Sequence, residues 1–135
     1  MGQKTQVLPE ERFTVKPLVA AKREAADVVK GVPNQARAYA FLVEQARYLR
    51  FWPTLESGDP AESFALSVKR IEECYELRVA DTAMLGPVQV RIFFWPEPGS
   101  RTIWILSVRK KKSRKTPDAV KEVCRQRLRA LRNRI

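Results

Sequence analysis

Six cations in seven residues, Arg109-Lys110-Lys111-Lys112-Ser113-Arg114-Lys115, follow directly on the apolar run Thr102–Val108 and stop at Thr116-Pro117. Ammonium and guanidinium groups packed this densely suit a polyanion, whose counterions they displace. The charge balance of the chain agrees. Residues 1–100 carry 13 Lys+Arg and 13 Asp+Glu, whereas residues 101–135 carry 13 Lys+Arg against Asp118 and Glu122. The whole excess of +11 therefore lies in the last quarter of a 135-residue chain. A basic segment on a neutral body reads as a binding surface for nucleic acid, an acidic protein or a membrane. Nucleic acid fits this density of charge best.

A second group of chemically capable residues lies on alternating segments. In Cys74-Tyr-Glu-Leu-Arg-Val-Ala80, Glu76 and Arg78 share one face. In Val88-Gln-Val-Arg-Ile-Phe-Phe-Trp95, Arg91 shares a face with Gln89. If these faces coincide, a carboxylate and two guanidiniums line a shallow surface beside the cationic run. Lys69, Arg70, Arg101, Arg109, Arg114, Lys115, Lys121 and Arg125 are the further cations expected to contact nucleic acid. The chain has no histidine, which removes imidazole acid–base chemistry. Its two cysteines, Cys74 and Cys124, each sit in an apolar pattern and read as buried thiols. No Cys or His set has ligand spacing, so no metal site is expected. Trp95 and Trp104 read as core packing ahead of base stacking.

These residues need a scaffold. Residues 1–10 read as a loose leader without an apolar signal core, and no apolar run is long enough to span a bilayer. Arg12–Lys16 alternates as a short strand closed by Pro17. Leu18, Ala21, Ala25, Val28 and Val29 have helical spacing, with Gly31 at the C′ position. Asn34 caps a second helix through Tyr39, Leu42, Val43, Ala46 and Leu49, ending before Pro53. The short connector makes the two helices an antiparallel hairpin. Asp59-Pro60-Ala61-Glu62 suggests one helical turn through Leu66, and Val68–Ile71 leads into a bend at Glu72-Glu73. Three strands follow. Pro96–Ser100 is too short for a crossover, so the last two form an antiparallel hairpin. The third, Thr102–Val108, is apolar on both faces and should be central. Thr116 as cap, Pro117 at N1 and Asp118 in the first turn open the last helix. Its apolar stripe is Val120, Val123, Cys124, Leu128 and Leu131, beside a basic stripe of Lys121, Arg125, Arg129 and Arg132. The expected order is β-α-α-β-β-β-α. This is one α+β domain over 1–135, with a helical hairpin and a C-terminal helix packed on a mostly antiparallel twisted sheet.

Cys74-Tyr-Glu-Leu-Arg-Val, Val90-Arg-Ile-Phe-Phe, Ile103-Trp-Ile-Leu-Ser-Val and Lys110-Lys-Lys-Ser-Arg-Lys-Thr-Pro, in that order, resemble the RelE/HigB superfamily of toxin ribonucleases, in its phage-related branch. The resemblance covers roughly residues 11–132 and is carried by 74–117. It implies a RelE-like fold and a cytoplasmic, metal- and cofactor-independent mRNA interferase. Such an enzyme cuts mRNA in the 30S A site of the ribosome and is neutralised by an antitoxin, expected to carry a helix-turn-helix. The implied reaction is attack of a ribose 2′-OH on the adjacent phosphate. By motif position, Arg91 corresponds to the arginine that braces the scissile phosphate, Arg78 to a second basic strand residue, and one of Lys110, Lys111 and Lys112 to the basic residue after the last strand. The family often places His or Tyr near the C-terminus, and this last helix has neither, which leaves a lysine or Glu76 as candidate base. The alternatives on the same fold are a ParE-like gyrase poison and a non-catalytic nucleic-acid-binding protein.

Overall fold

The computed structural model describes residues 10–52 and 66–134. It is an α+β protein built on one five-stranded mixed sheet. The strands are β1 (Thr14–Pro17), β2 (Ser67–Ile71), β3 (Cys74–Ala80), β4 (Gln89–Pro96) and β5 (Thr102–Lys110). They lie in the order β1-β5-β4-β3-β2, with β1 parallel to β5 and the other pairings antiparallel. The helices are α1 (Val19–Val28), α2 (Gln35–Arg47), the short α3 (Thr82–Leu85) and α4 (Asp118–Arg132). A 3₁₀ turn, Tyr48–Phe51, extends α2.

Alternation along β3 and β4 divides the apolar residues between two cores. Leu77, Val79, Val90, Ile92 and Phe94 face α1 and α2, where Ala21, Ala25, Val28, Ala38 and Leu42 close over them. Cys74, Trp95 and Leu106 face α4, packed by Leu128 and Leu131. Two apolar faces make β4 and β5 interior strands, as expected for Thr102–Val108. Asn34 caps α2 by accepting from the Arg37 N–H at 3.1 Å.

Four sequence expectations change. Val68–Ile71 belongs to a strand: β2 pairs along β3 as the outer edge, and Glu72-Glu73 is its hairpin turn. Glu72 adopts a left-handed φ of 56°, held by Arg70 Nε donating to its carbonyl at 2.9 Å. A short α3, capped by Asp81 accepting from the Met84 N–H at 2.9 Å, fills the β3–β4 connection. Thr116 does not cap α4. Pro117 holds that position, and the Thr116 hydroxyl is used elsewhere. Gly31 has the expected positive φ of 87°, but α1 ends earlier, with Val29 as its C-cap. The helical turn expected over 59–66 lies outside the described residues, except that Leu66 is buried.

β1 pairs with β5 only as far as Ile105, because Pro17 ends the strand. Beyond it, the outer edge of β5 is satisfied by side chains. Arg127 Nη1 on α4 donates to the Leu106 carbonyl at 2.8 Å, and Glu24 on α1 accepts from the Val108 N–H at 3.2 Å. The two side chains also pair with each other through two contacts of 2.8 and 2.9 Å. This ion pair does for the buried edge of β5, which has no strand beside it past Ile105, what another strand would otherwise do. No helix among the described residues is long and apolar enough to cross a membrane.

Candidate nucleic-acid interface

The strand register places Arg78 opposite Arg91 and Arg91 opposite Arg109, so three guanidiniums form one row across β3, β4 and β5. Directly opposed like charges destabilise a sheet unless they are compensated. Two carboxylates compensate this row. Glu76, one step along β3 and fully buried, accepts from Arg78 Nε at 3.0 Å and lies 3.1 Å from Arg91 Nε. That second contact is an ion pair, without the alignment of a hydrogen bond. Glu24 pairs with Arg109 at 2.9 Å, and Arg109 Nε also donates to Ser107 Oγ at 3.0 Å. Ser107 Oγ in turn donates to Glu24 at 2.9 Å. Burial pushes the Glu24 carboxyl up, but hydrogen bonds from Arg127, Ser107 and the Val108 N–H outweigh it and hold the group below its ordinary 4.5.

Arg91 differs from its neighbours. Only 2% of its side chain is exposed, against 39% for Arg78 and 35% for Arg109. Its guanidinium is covered by the segment that follows β5. Arg91 Nη2 donates to the carbonyls of Ser113 at 2.7 Å and Arg114 at 2.8 Å, and Nη1 to that of Lys115 at 3.3 Å. The Thr116 hydroxyl donates to Glu76 at 3.0 Å. With these carbonyls drawn inward, Ser113, Arg114 and Lys115 are exposed, as are Lys110 and Lys112, and Lys111 is half-buried. Among the described residues, none of Lys110, Lys111, Lys112, Arg114 and Lys115 pairs with a carboxylate. A cleft of about 430 Å³ opens beside them, between α1, the end of β5 and the start of α4, with Asp27, Val28, Phe93, Lys110, Lys112 and Val120 in its walls.

The other sequence-chosen cations divide. Lys69 lies on exposed β2, in register with Glu76 and so on the same face as the row. Arg70 is on the opposite face, over the Tyr75 ring at 5.7 Å. Arg101 precedes β5, at the other end of that strand from Lys110, and donates to the carbonyls of Glu11 and Arg12. Neither Arg70 nor Arg101 joins the site. On α4, Lys121 is half-buried, while Arg125 pairs with Glu72 at 2.9 Å and Glu122 at 3.0 Å. Arg132 pairs with Glu73 at 2.7 Å and lies over Trp95. Much of the basic stripe is thus neutralised by the β2–β3 turn. Glu76 does not serve as a base in this arrangement, because its oxygens are enclosed and committed to two arginines and a hydroxyl. Arg91 does not reach a phosphate on the surface while the loop covers it.

Sequence reasoning missed Glu24 and Arg127. The signal was present: each is a charge at a core position of a helical stripe, Glu24 between Ala21 and Val28, Arg127 between Cys124 and Leu131. Cys74 and Cys124 are buried free thiols, pushed up to about 11 and about 12, chiefly by burial. No group of three or more metal-ligating side chains occurs among the described residues. Set against protein-family models, curated proteins and solved structures, the chain matches none.

Proposed function

We propose that the protein is an RNA-binding toxin of the RelE/HigB type that cleaves mRNA on the ribosome, with Lys110–Lys115 as its RNA-facing rim. The observation that carries this reading is the set of five cations that pair with no carboxylate among the described residues, presented together at the end of β5 and on the segment after it, beside the arginine row. The phosphate backbone is the ligand such an array neutralises. The reaction is taken from the motif resemblance. The ribose 2′-oxygen forms a bond to phosphorus, the bond from phosphorus to the 5′-oxygen breaks, and the products are a 2′,3′-cyclic phosphate and a 5′-OH. One group takes the 2′-OH proton and another returns a proton to the leaving oxygen. Arg78 and the lysine rim stabilise the charge that builds on the phosphorane. With histidine absent and Glu76 enclosed, both proton-transfer roles fall to Lys110, Lys111 and Lys112. The partners on this reading are ribosome-bound mRNA and a neutralising antitoxin.

Induced expression tests the proposal. It should stop translation and create new RNA ends within coding regions, bearing 5′-OH groups. Intact mRNA accompanied by a DNA-damage response would point to a gyrase poison instead. A second reading, RNA binding without cleavage, is favoured by the enclosure of Glu76 and Arg91. Salt-sensitive RNA binding with no new ends would establish it.

A further inference from the structure

We infer that Arg91 is a positioning residue: together with Glu76 it fastens the backbone of 113–116 to the sheet and thereby preforms the cationic rim. The inference rests on the proposal that this rim binds RNA, but the fastening itself is a separate claim. Six cations in seven residues repel one another, and a free segment of this composition spreads and samples many conformations. Here one guanidinium takes three successive carbonyls, and Glu76 takes the next side chain through the Thr116 hydroxyl. Pulling successive carbonyls inward turns the side chains between them to the outside. Arg91 suits this task, because its planar fork offers several donors in fixed directions whereas an ammonium is a compact point charge. Glu76 makes the burial of the guanidinium tolerable. A rim ordered in advance gives up less conformational entropy when it meets a phosphate chain.

Trypsin reads the fastening without RNA, since every cation of the rim is a potential cleavage site and cutting requires local release of the backbone. Wild type, Arg91→Gln and Thr116→Val would be digested briefly at 25 °C, each first shown by circular dichroism to unfold cooperatively above that temperature. Cuts between residues 110 and 116 would be timed by mass spectrometry. Cutting should accelerate about tenfold or more in Arg91→Gln and by a smaller factor in Thr116→Val. If Arg91→Gln does not fold, Thr116→Val and Arg91→Lys carry the test, and Arg91→Lys should also be cut faster than wild type.

The second arm is the salt dependence of binding to a fluorescent single-stranded RNA. Loss of one phosphate contact, with Lys112→Ala as the benchmark, should reduce the slope of log K against log salt by about 0.7. Arg91→Gln should reduce it by about twice that or more, because several cations lose their places together. A folded Arg91→Gln protein cut at the wild-type rate would overturn the inference. So would one that loses only the benchmark slope, since Arg91 would then be a direct phosphate contact. Failure of wild type to bind RNA would remove the functional reading while leaving the trypsin result to decide the fastening.

Discussion

Glu76 and Arg91 are buried charges, and each depends on the other. Removing one partner of a buried pair leaves an uncompensated charge, so Glu76→Ala should lower the unfolding free energy by about 3–5 kcal/mol in urea titration. Glu24 offers a pH test. A carboxyl held below its unfolded value contributes stability that is fully present above that value and lost as the pH falls through the folded one. Wild type should therefore exceed Glu24→Gln by about 1–3 kcal/mol near neutral pH, and the gap should shrink as the pH falls below about 4.5. A gap independent of pH would show that the charge of Glu24 does not support the β5 edge. Strand alternation in the sequence placed Glu76 and Arg78 on one face of β3 and left open whether Arg91 on β4 shares that side; the register, with Arg78 opposite Arg91, shows that it does. It left their burial unread, because the cover over Arg91 comes from carbonyls about two dozen residues later, and backbone atoms leave no trace in residue type.

At the scale of elements, α4 is docked by a narrow contact. Leu128 and Leu131 meet Cys74, Trp95 and Leu106. Leu128→Ala should cost about 2–5 kcal/mol, measured by thermal or urea unfolding. The same contact shields Cys74 and Cys124. With both thiols pushed far above neutrality, the folded protein should resist alkylation at pH 8, and Leu128→Ala should label faster. Rapid labelling of wild type would contradict this packing. Helices α1, α2 and α4 were legible from apolar spacing, β3 and β4 from alternation, and β5 from an apolar run on both faces. β2 was not: Lys69 and Arg70 interrupt its apolar residues, as suits an edge strand that discourages further pairing. Its turn also depends on Glu72 accepting a left-handed backbone, which residue type does not announce. Thr116-Pro117-Asp118 marked the start of α4 within a residue, yet the threonine serves the buried carboxylate in place of the helix.

For the whole molecule, the fold sorts the excess charge rather than merely carrying it. Glu72, Glu73 and Glu122 neutralise Arg125 and Arg132 along α4, and Glu24 engages Arg109 and Arg127. Among the described residues, the cations that pair with no carboxylate at the end of β5 and on the loop after it are Lys110, Lys111, Lys112, Arg114 and Lys115. The sequence located the charge excess in the last quarter of the chain but could not separate paired from unpaired cations, since the pairing acids come from α1 and the β2–β3 turn. The central claim, that this loop is the RNA-binding surface, is tested most directly by the salt dependence of single-stranded RNA binding. Five phosphate contacts predict a slope of log K against log salt of about −3.5, falling to about −1.4 when Lys110, Lys111 and Lys112 are replaced by alanine. A slope near zero for wild type, or one that the triple replacement leaves unchanged, would contradict the account.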